Sequence, residues 1–183
     1  MSYTTMQSES NIHHNGTNNL VERLHQAISK GSVEDVRYWL ELGANPETST
    51  DQTENAIIHS MLVKRHDVFA MLVEQGVSLE STFYYEKECT PLMYAMEQMV
   101  PITFVKTLLN HGANIHVCND TGSVIDNFLY YRSCASPRMW TSQDEVNVLK
   151  LLIKAGHPVR EEHVRKSDGH LKQILMEALP TDP

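Results

Sequence analysis

The stretch "LLNHGANIHV", residues 108–117, decides the fold. A leucine-rich run stops at Gly112, a small residue and an asparagine follow, and apolar character then returns. Helices end this way when a glycine supplies the left-handed residue that turns the chain out of the last turn. Nearly the same stop recurs in "LELGANPE" at Gly43, "LVEQGVSLE" at Gly76 and "LIKAGHPVR" at Gly156. The four glycines are separated by 33, 36 and 44 residues, a spacing that marks a stacked repeat array.

Ahead of each glycine lies an apolar helix: "DVRYWLEL", "DVFAMLVEQ", "FVKTLLNH" and "EVNVLKLLIKA". Ahead of that lies a second short helix, and polar loops join the pairs. Ser32 is placed to cap "SVEDVRYWLELG", with Asp35 three residues on. Thr90 is placed to cap the helix that follows it, and Pro91 suits a first turn, where an amide is unpaired anyway. Leu92, Ala95 and Met96 then form an apolar stripe. Two short helices cannot bury both apolar faces alone, so each pair needs a neighbour. Trp39, at a leucine position of the pattern, is expected in the core.

The chain has 183 residues, 41% of them hydrophobic and 21% charged, enough for one domain or a short array. A formal net charge of −8 with no basic run argues against a general grip on nucleic acid. No apolar stretch is long enough for a bilayer span, and the N-terminus has no secretory pattern. Cys89, Cys118 and Cys134 lack a knuckle spacing and suggest reduced thiols, hence a cytoplasmic setting. Residues 1–19 are polar and without periodicity, and are expected to be a disordered tail.

These residues resemble the ankyrin repeat family, whose units read approximately Thr-Pro-Leu-His-x-Ala-Ala, a Gly-His turn, then Val-Val-x-Leu-Leu-Leu-x-x-Gly-Ala-Asp. "TPLMYAM" keeps Thr90, Pro91, Leu92 and Ala95, and "FVKTLLNHGAN" follows nearly in register. In the first unit Leu24-His25 falls on the Leu-His pair, Gly31 on the turn and Gly43-Ala44-Asn45 on the terminal triplet. The resemblance implies an all-α solenoid of stacked helix-turn-helix units with projecting loops over residues 20–180. The repeats fall at about 20–49, 52–82, 87–118 and 120–159, with a charged terminal cap at 160–180.

Such arrays generally bind through a concave face of inner helices and loop tips. The resemblance places Leu62, Val63, Glu97, Gln98, Tyr130 and Tyr131 on the helices. Asp51, Gln52, Glu54, Tyr84, Tyr85, Glu86, Lys87, Asn119 and Asp120 fall on the tips. The fourth repeat carries extra residues between its helices, "YYRSCASPRMWT", with Arg132, Arg138 and Trp140. Aromatic residues and arginine are the usual interface anchors. The binding set is therefore Tyr84, Tyr85, Lys87, Glu97, Gln98, Asn119, Asp120, Tyr130, Tyr131, Arg132 and Trp140. The alternative for Phe83 and Trp140 is local core beneath their own loops.

These features predict a monomeric, non-catalytic module that binds another protein as adaptor, sequestering agent or inhibitor. No cofactor, metal, nucleic acid or membrane is called for. The divergent repeats are similar in style to ankyrin proteins that bacteria or viruses deliver into host cells. Two competing readings are a thiol or zinc enzyme using His111, His116 and Cys118, and a structural subunit of a larger complex. Against the first, His111 suits a helix C-terminus, and a fourth ligand at standard spacing is missing.

Overall fold

Four glycine turns close their helices identically in the computed structural model, which describes residues 19–50, 54–81, 89–134 and 140–180. Gly43, Gly76, Gly112 and Gly156 have φ of 92°, 80°, 80° and 96°, where a side chain would be strained. Each glycine amide bonds the carbonyl three residues back, as Gly43 does to Leu40 at 2.9 Å. The next amide reaches five residues back: Ala44 to Trp39, Val77 to Leu72, Ala113 to Leu108 and His157 to Leu152, at 3.0–3.2 Å. This double bond pattern satisfies carbonyls that a helix end leaves orphaned. Ala44, Val77, Ala113 and His157 are buried just beyond the stops.

The described chain forms two compact units, which divide between Ser78 and Leu79. The first holds α1 (residues 19–30), α2 (Val33–Glu41), α3 (Ala56–Leu62) and α4 (His66–Glu74). In α1, Val21, Leu24, His25 and Ile28 are buried at spacings of three, four and seven, one face of a helix. Ser32 caps α2 by accepting from the Asp35 amide at 3.2 Å, and Asn55 caps α3 by accepting from Ile58 at 3.0 Å. α4 lies against both α2 and α3. Trp39 is corrected from core to half-buried: α2 buries only Val36, and the indole sits edge-on to the exposed Tyr38 at 5.1 Å.

The second unit holds α5 (Pro91–Glu97), α6 (Ile102–Asn110), a two-residue hairpin, α7 (Val124–Cys134), α8 (Ser142–Lys154), α9 (Glu161–Arg165) and α10 (Gly169–Glu177). The hairpin pairs β1 (Cys118–Asn119) with β2 (Gly122–Ser123), a small antiparallel exception among mostly helical described residues. Inner helices α5 and α7 pack together, outer helices α6 and α8 pack together, and the last pair continues the order with α9 on α7 and α10 on α8. Phe104, Leu108, Phe128, Leu149 and Leu152 fill the space between them.

Two carboxylates repeat a loop-binding device. Glu47 and Glu80, each four residues after its glycine, accept a backbone amide from a later turn, Ser78 and Asn114 respectively, both at 2.7 Å. Lys64 and Met99 hold left-handed φ of 58° and 46°, at inner-helix turns where the first helix pair has Gly31.

The extra residues of the fourth repeat are not all loop. Tyr130–Cys134 continue α7 to 11 residues, against 7 in α3 and α5. α8 then starts on a reciprocal cap: Thr141 Oγ1 accepts from the Asp144 amide at 3.2 Å, and Asp144 accepts from the Thr141 amide at 3.0 Å. Thr141→Ala is expected to cost about 1 kcal/mol in urea unfolding, with the loss of that cap as its cause. The tail, and the expected tip residues Asp51, Gln52, Tyr84, Tyr85, Glu86 and Lys87, lie outside the described residues except for Asn19 of the tail, as does Arg138.

Candidate functional site

Four of the residues expected from sequence on the binding face lie at the inner-helix ends of the second unit. Glu97 is the last residue of α5 and Gln98 follows as its cap, so both side chains emerge where the helix runs out. Tyr130 and Tyr131 lie on the added turn of α7, beyond the buried run Val124–Leu129. Their rings meet edge-to-face at 5.1 Å and 85°. Burial pushes the Tyr131 hydroxyl up to about 12, and the Glu97 carboxylate, to which it hydrogen-bonds, pushes it in the same direction. Gln98 Nε2 also donates to Glu97, at a long 3.4 Å. Four residues expected on the face from sequence are thus drawn into one cluster, with Tyr130 53% exposed at its rim.

The other expected residues do not join it. Asn119 and Asn127 exchange amide hydrogen bonds of 3.0 and 3.3 Å, which tie the hairpin to α7, while Asp120 is exposed at the hairpin tip. Arg132 donates to Glu145 at 2.8 Å and to Asp168 at 2.9 Å. Glu145 is buried, so the arginine neutralises a charge that burial would otherwise make costly. Trp140 is corrected from binding residue to core. It is 5% exposed, its Nε1 donates to the Val100 carbonyl at 2.7 Å, and its ring lies 6.0 Å from Phe128. Leu62, in the first unit, is exposed at the end of α3 and Val63 is half-exposed beyond it.

The thiol and imidazole candidates are engaged locally. His111 Nδ1 donates to the Thr107 carbonyl at 2.9 Å, which satisfies a last-turn acceptor of α6. Cys118 Sγ contacts the His116 carbonyl at 3.8 Å rather than an imidazole. Among the described residues no group of three or more His, Cys, Asp and Glu is arranged to hold a metal ion.

Two buried polar networks escaped the sequence reading. In the first unit, His25 and His59 stack at 4.9 Å with Nδ1 to Nδ1 at 2.6 Å. His25 Nε2 faces the Thr48 carbonyl at 3.4 Å and His59 Nε2 faces Ser29 Oγ at 3.1 Å. Burial, then the neighbouring His25, lowers His59 to about 4. In the second unit, Asp126 accepts from Ser123 Oγ at 2.7 Å, Ser123 N at 3.0 Å and Lys166 Nζ at 3.0 Å, with His163 Nε2 at 3.4 Å. Burial alone would raise its carboxyl, but these donors outweigh that and hold it near 2. Sequence signals existed for both: His25 and His59 are 34 residues apart, one repeat, and Ser123 and Asp126 have capping spacing. Each network joins inner helices or a loop of adjacent repeats.

Paired helices and glycine stops recurring at near-regular spacing, with loop carboxylates between them, define a repeat-built scaffold. A family model described as ankyrin repeats (3 copies) matches residues 24–119, just over half of the 183 residues, and the chain belongs to the ankyrin repeat family. It is similar to an ankyrin repeat protein of fowlpox virus (strain NVSL), with 33% identity over 91 residues. That match covers 50% of this chain and 20% of the relative, so the chain spans about a fifth of the relative's length. Ankyrin repeats generally mediate protein–protein interaction.

Proposed function

We propose that the chain is a non-catalytic recognition module that docks a partner protein on the α5–α7 inner face. The observation that carries the reading is the exposure of Tyr130 beside Glu97, Gln98 and Tyr131, just beyond the buried runs Pro91–Met96 and Val124–Leu129. Side chains with two torsions, such as tyrosine, give large contact area at low entropic cost, and rigid helices hold them in place. The repeats at 20–49, 52–82, 87–118 and 120–159 and the terminal pair at 160–180 would be the scaffold. The loop residues Tyr84, Tyr85 and Lys87 and the tip Asp120 would extend the contact.

The role is adaptor, sequestering agent or inhibitor in a cytoplasm, and similarity to a poxvirus protein supports a host-cell setting. Cys89, Cys118 and Cys134 are all free thiols, in keeping with a reducing compartment. No helix among the described residues is long and apolar enough to cross a membrane.

Replacing Tyr84, Tyr85, Tyr130 and Tyr131 with alanine tests the reading through partner capture and thermal melting together. Lost capture with an unchanged melt is the expected result. Retained capture, or lost capture explained by a collapsed melt, contradicts it.

A further inference from the structure

The inner-face reading says that a partner docks here; the chemistry of the cluster says which side chain leads. Three groups are joined through Tyr131: its ring packs on Tyr130, and its hydroxyl bonds Glu97. Tyr130 offers open aromatic surface, since the residue is more than half exposed and Tyr131 meets its ring at 85° instead of stacking on it. Glu97 offers acceptor capacity. A carboxylate has about four lone-pair sites, and this one receives the Tyr131 hydroxyl and a 3.4 Å contact from Gln98.

An aromatic face beside a half-used carboxylate suits a planar cation. A guanidinium can stack on the ring while its N–H fork donates to the carboxylate. An ammonium could satisfy the carboxylate but not the plane, and an anion would be repelled. The one guanidinium next in sequence does not compete, because Arg132 is balanced by Glu145 and Asp168. The chain's net charge of −8 favours approach of a basic segment over longer range. We infer that the Tyr130–Tyr131–Glu97 cluster receives an arginine side chain of the partner protein. This inference rests on the inner-face reading above.

The test is an NMR titration of the full chain, observing tyrosine ring and Gln98 side-chain signals. The probes are a blocked pentapeptide with two arginines and its isosteric, neutral citrulline counterpart. The arginine peptide is expected to shift the Tyr130, Tyr131 and Gln98 signals saturably. The citrulline peptide, and the arginine peptide on Glu97→Gln, are expected to bind on the order of fivefold to tenfold more weakly. Tyr130→Ala, at an exposed ring, gives the same loss and serves if Glu97→Gln perturbs the fold. Equal response to both peptides, undiminished response in both variants, or no response overturns the arginine assignment. Partner capture by the four-tyrosine variant separates the two levels. Lost capture with failed peptide arms overturns the arginine assignment alone, whereas intact capture overturns the docking face and this inference with it.

Discussion

Trp140→Ala is expected to lower the unfolding free energy by about 3–5 kcal/mol in urea denaturation. The indole is buried against Phe128, and its Nε1 is the donor for the Val100 carbonyl at 2.7 Å. Alanine leaves a cavity and also strands that buried carbonyl, two penalties that add. Trp140→Phe keeps most of the packing and strands only the carbonyl, so about 1–3 kcal/mol should go. Neither change should alter partner capture once the protein is folded. A Trp140→Phe variant of full stability that no longer captures the partner would return Trp140 to the binding surface.

Acid is expected to unfold the chain earlier than its carboxylates alone would dictate, because buried neutral histidines sit in both units. Burial lowers His59 and His157 from the usual 6.5 to about 4. The unfolded chain takes up protons below pH 6.5 that the folded chain refuses, so stability falls as pH drops from about 6.5 to about 4 and then levels. At pH 4.5 the loss is about 2–3 kcal/mol for each histidine.

The geometry explains the refusal. Nδ1 atoms 2.6 Å apart share a single proton, so the His25 and His59 rings cannot both be charged, and the Arg65 guanidinium at the adjacent Ser29 carbonyl, 3.4 Å away, adds positive charge nearby. His157 Nδ1 faces the Pro158 carbonyl at 3.0 Å, and its buried Nε2 has no partner to receive a new N–H. Asp126 acts in a lower window: its contribution is present above the usual 3.8 and is lost as pH falls through about 2. Urea midpoints at pH 7.5 and 4.5 check this, with His59→Gln expected to flatten the dependence by about one proton between pH 5 and 6. A slope unchanged in that variant would mean that His59 is already charged in the folded state.

The glycine stops were legible because they depend on backbone alone. A left-handed residue between an apolar helix and a polar turn has few structural meanings, and four copies 33–44 residues apart reduce them to one. The caps at Ser32 and Thr90 were legible for the same local reason. What stayed hidden depends on partners distant in sequence. Trp140 reads as either an interface anchor or core beneath its own loop until Val100, 40 residues earlier, is seen to accept its N–H. Arg132 reads as an interface anchor until Glu145 and Asp168 close on it. Lys166 and Asp126 likewise meet only across 40 residues. Burial of Trp39 was overread, since a leucine position in the pattern does not guarantee a neighbour to cover it. Glu97, Gln98, Tyr130 and Tyr131 are each placed on inner helices from sequence, but their bonding to one another is not legible there, because Glu97 and Tyr131 meet across 34 residues.

Two tyrosines of nearly equal exposure give the most direct test of the central claim that the inner face does the binding. Tyr130, 53% exposed, lies on inner helix α7, and Tyr38, 54% exposed, lies on outer helix α2. Both can be changed to alanine without opening a core, and partner affinity measured by calorimetry against the parent chain. The predicted result is at least about a tenfold loss, or roughly 1.4 kcal/mol, for Tyr130→Ala and an unchanged value for Tyr38→Ala. Loss of affinity in Tyr38→Ala with full binding by Tyr130→Ala would contradict it.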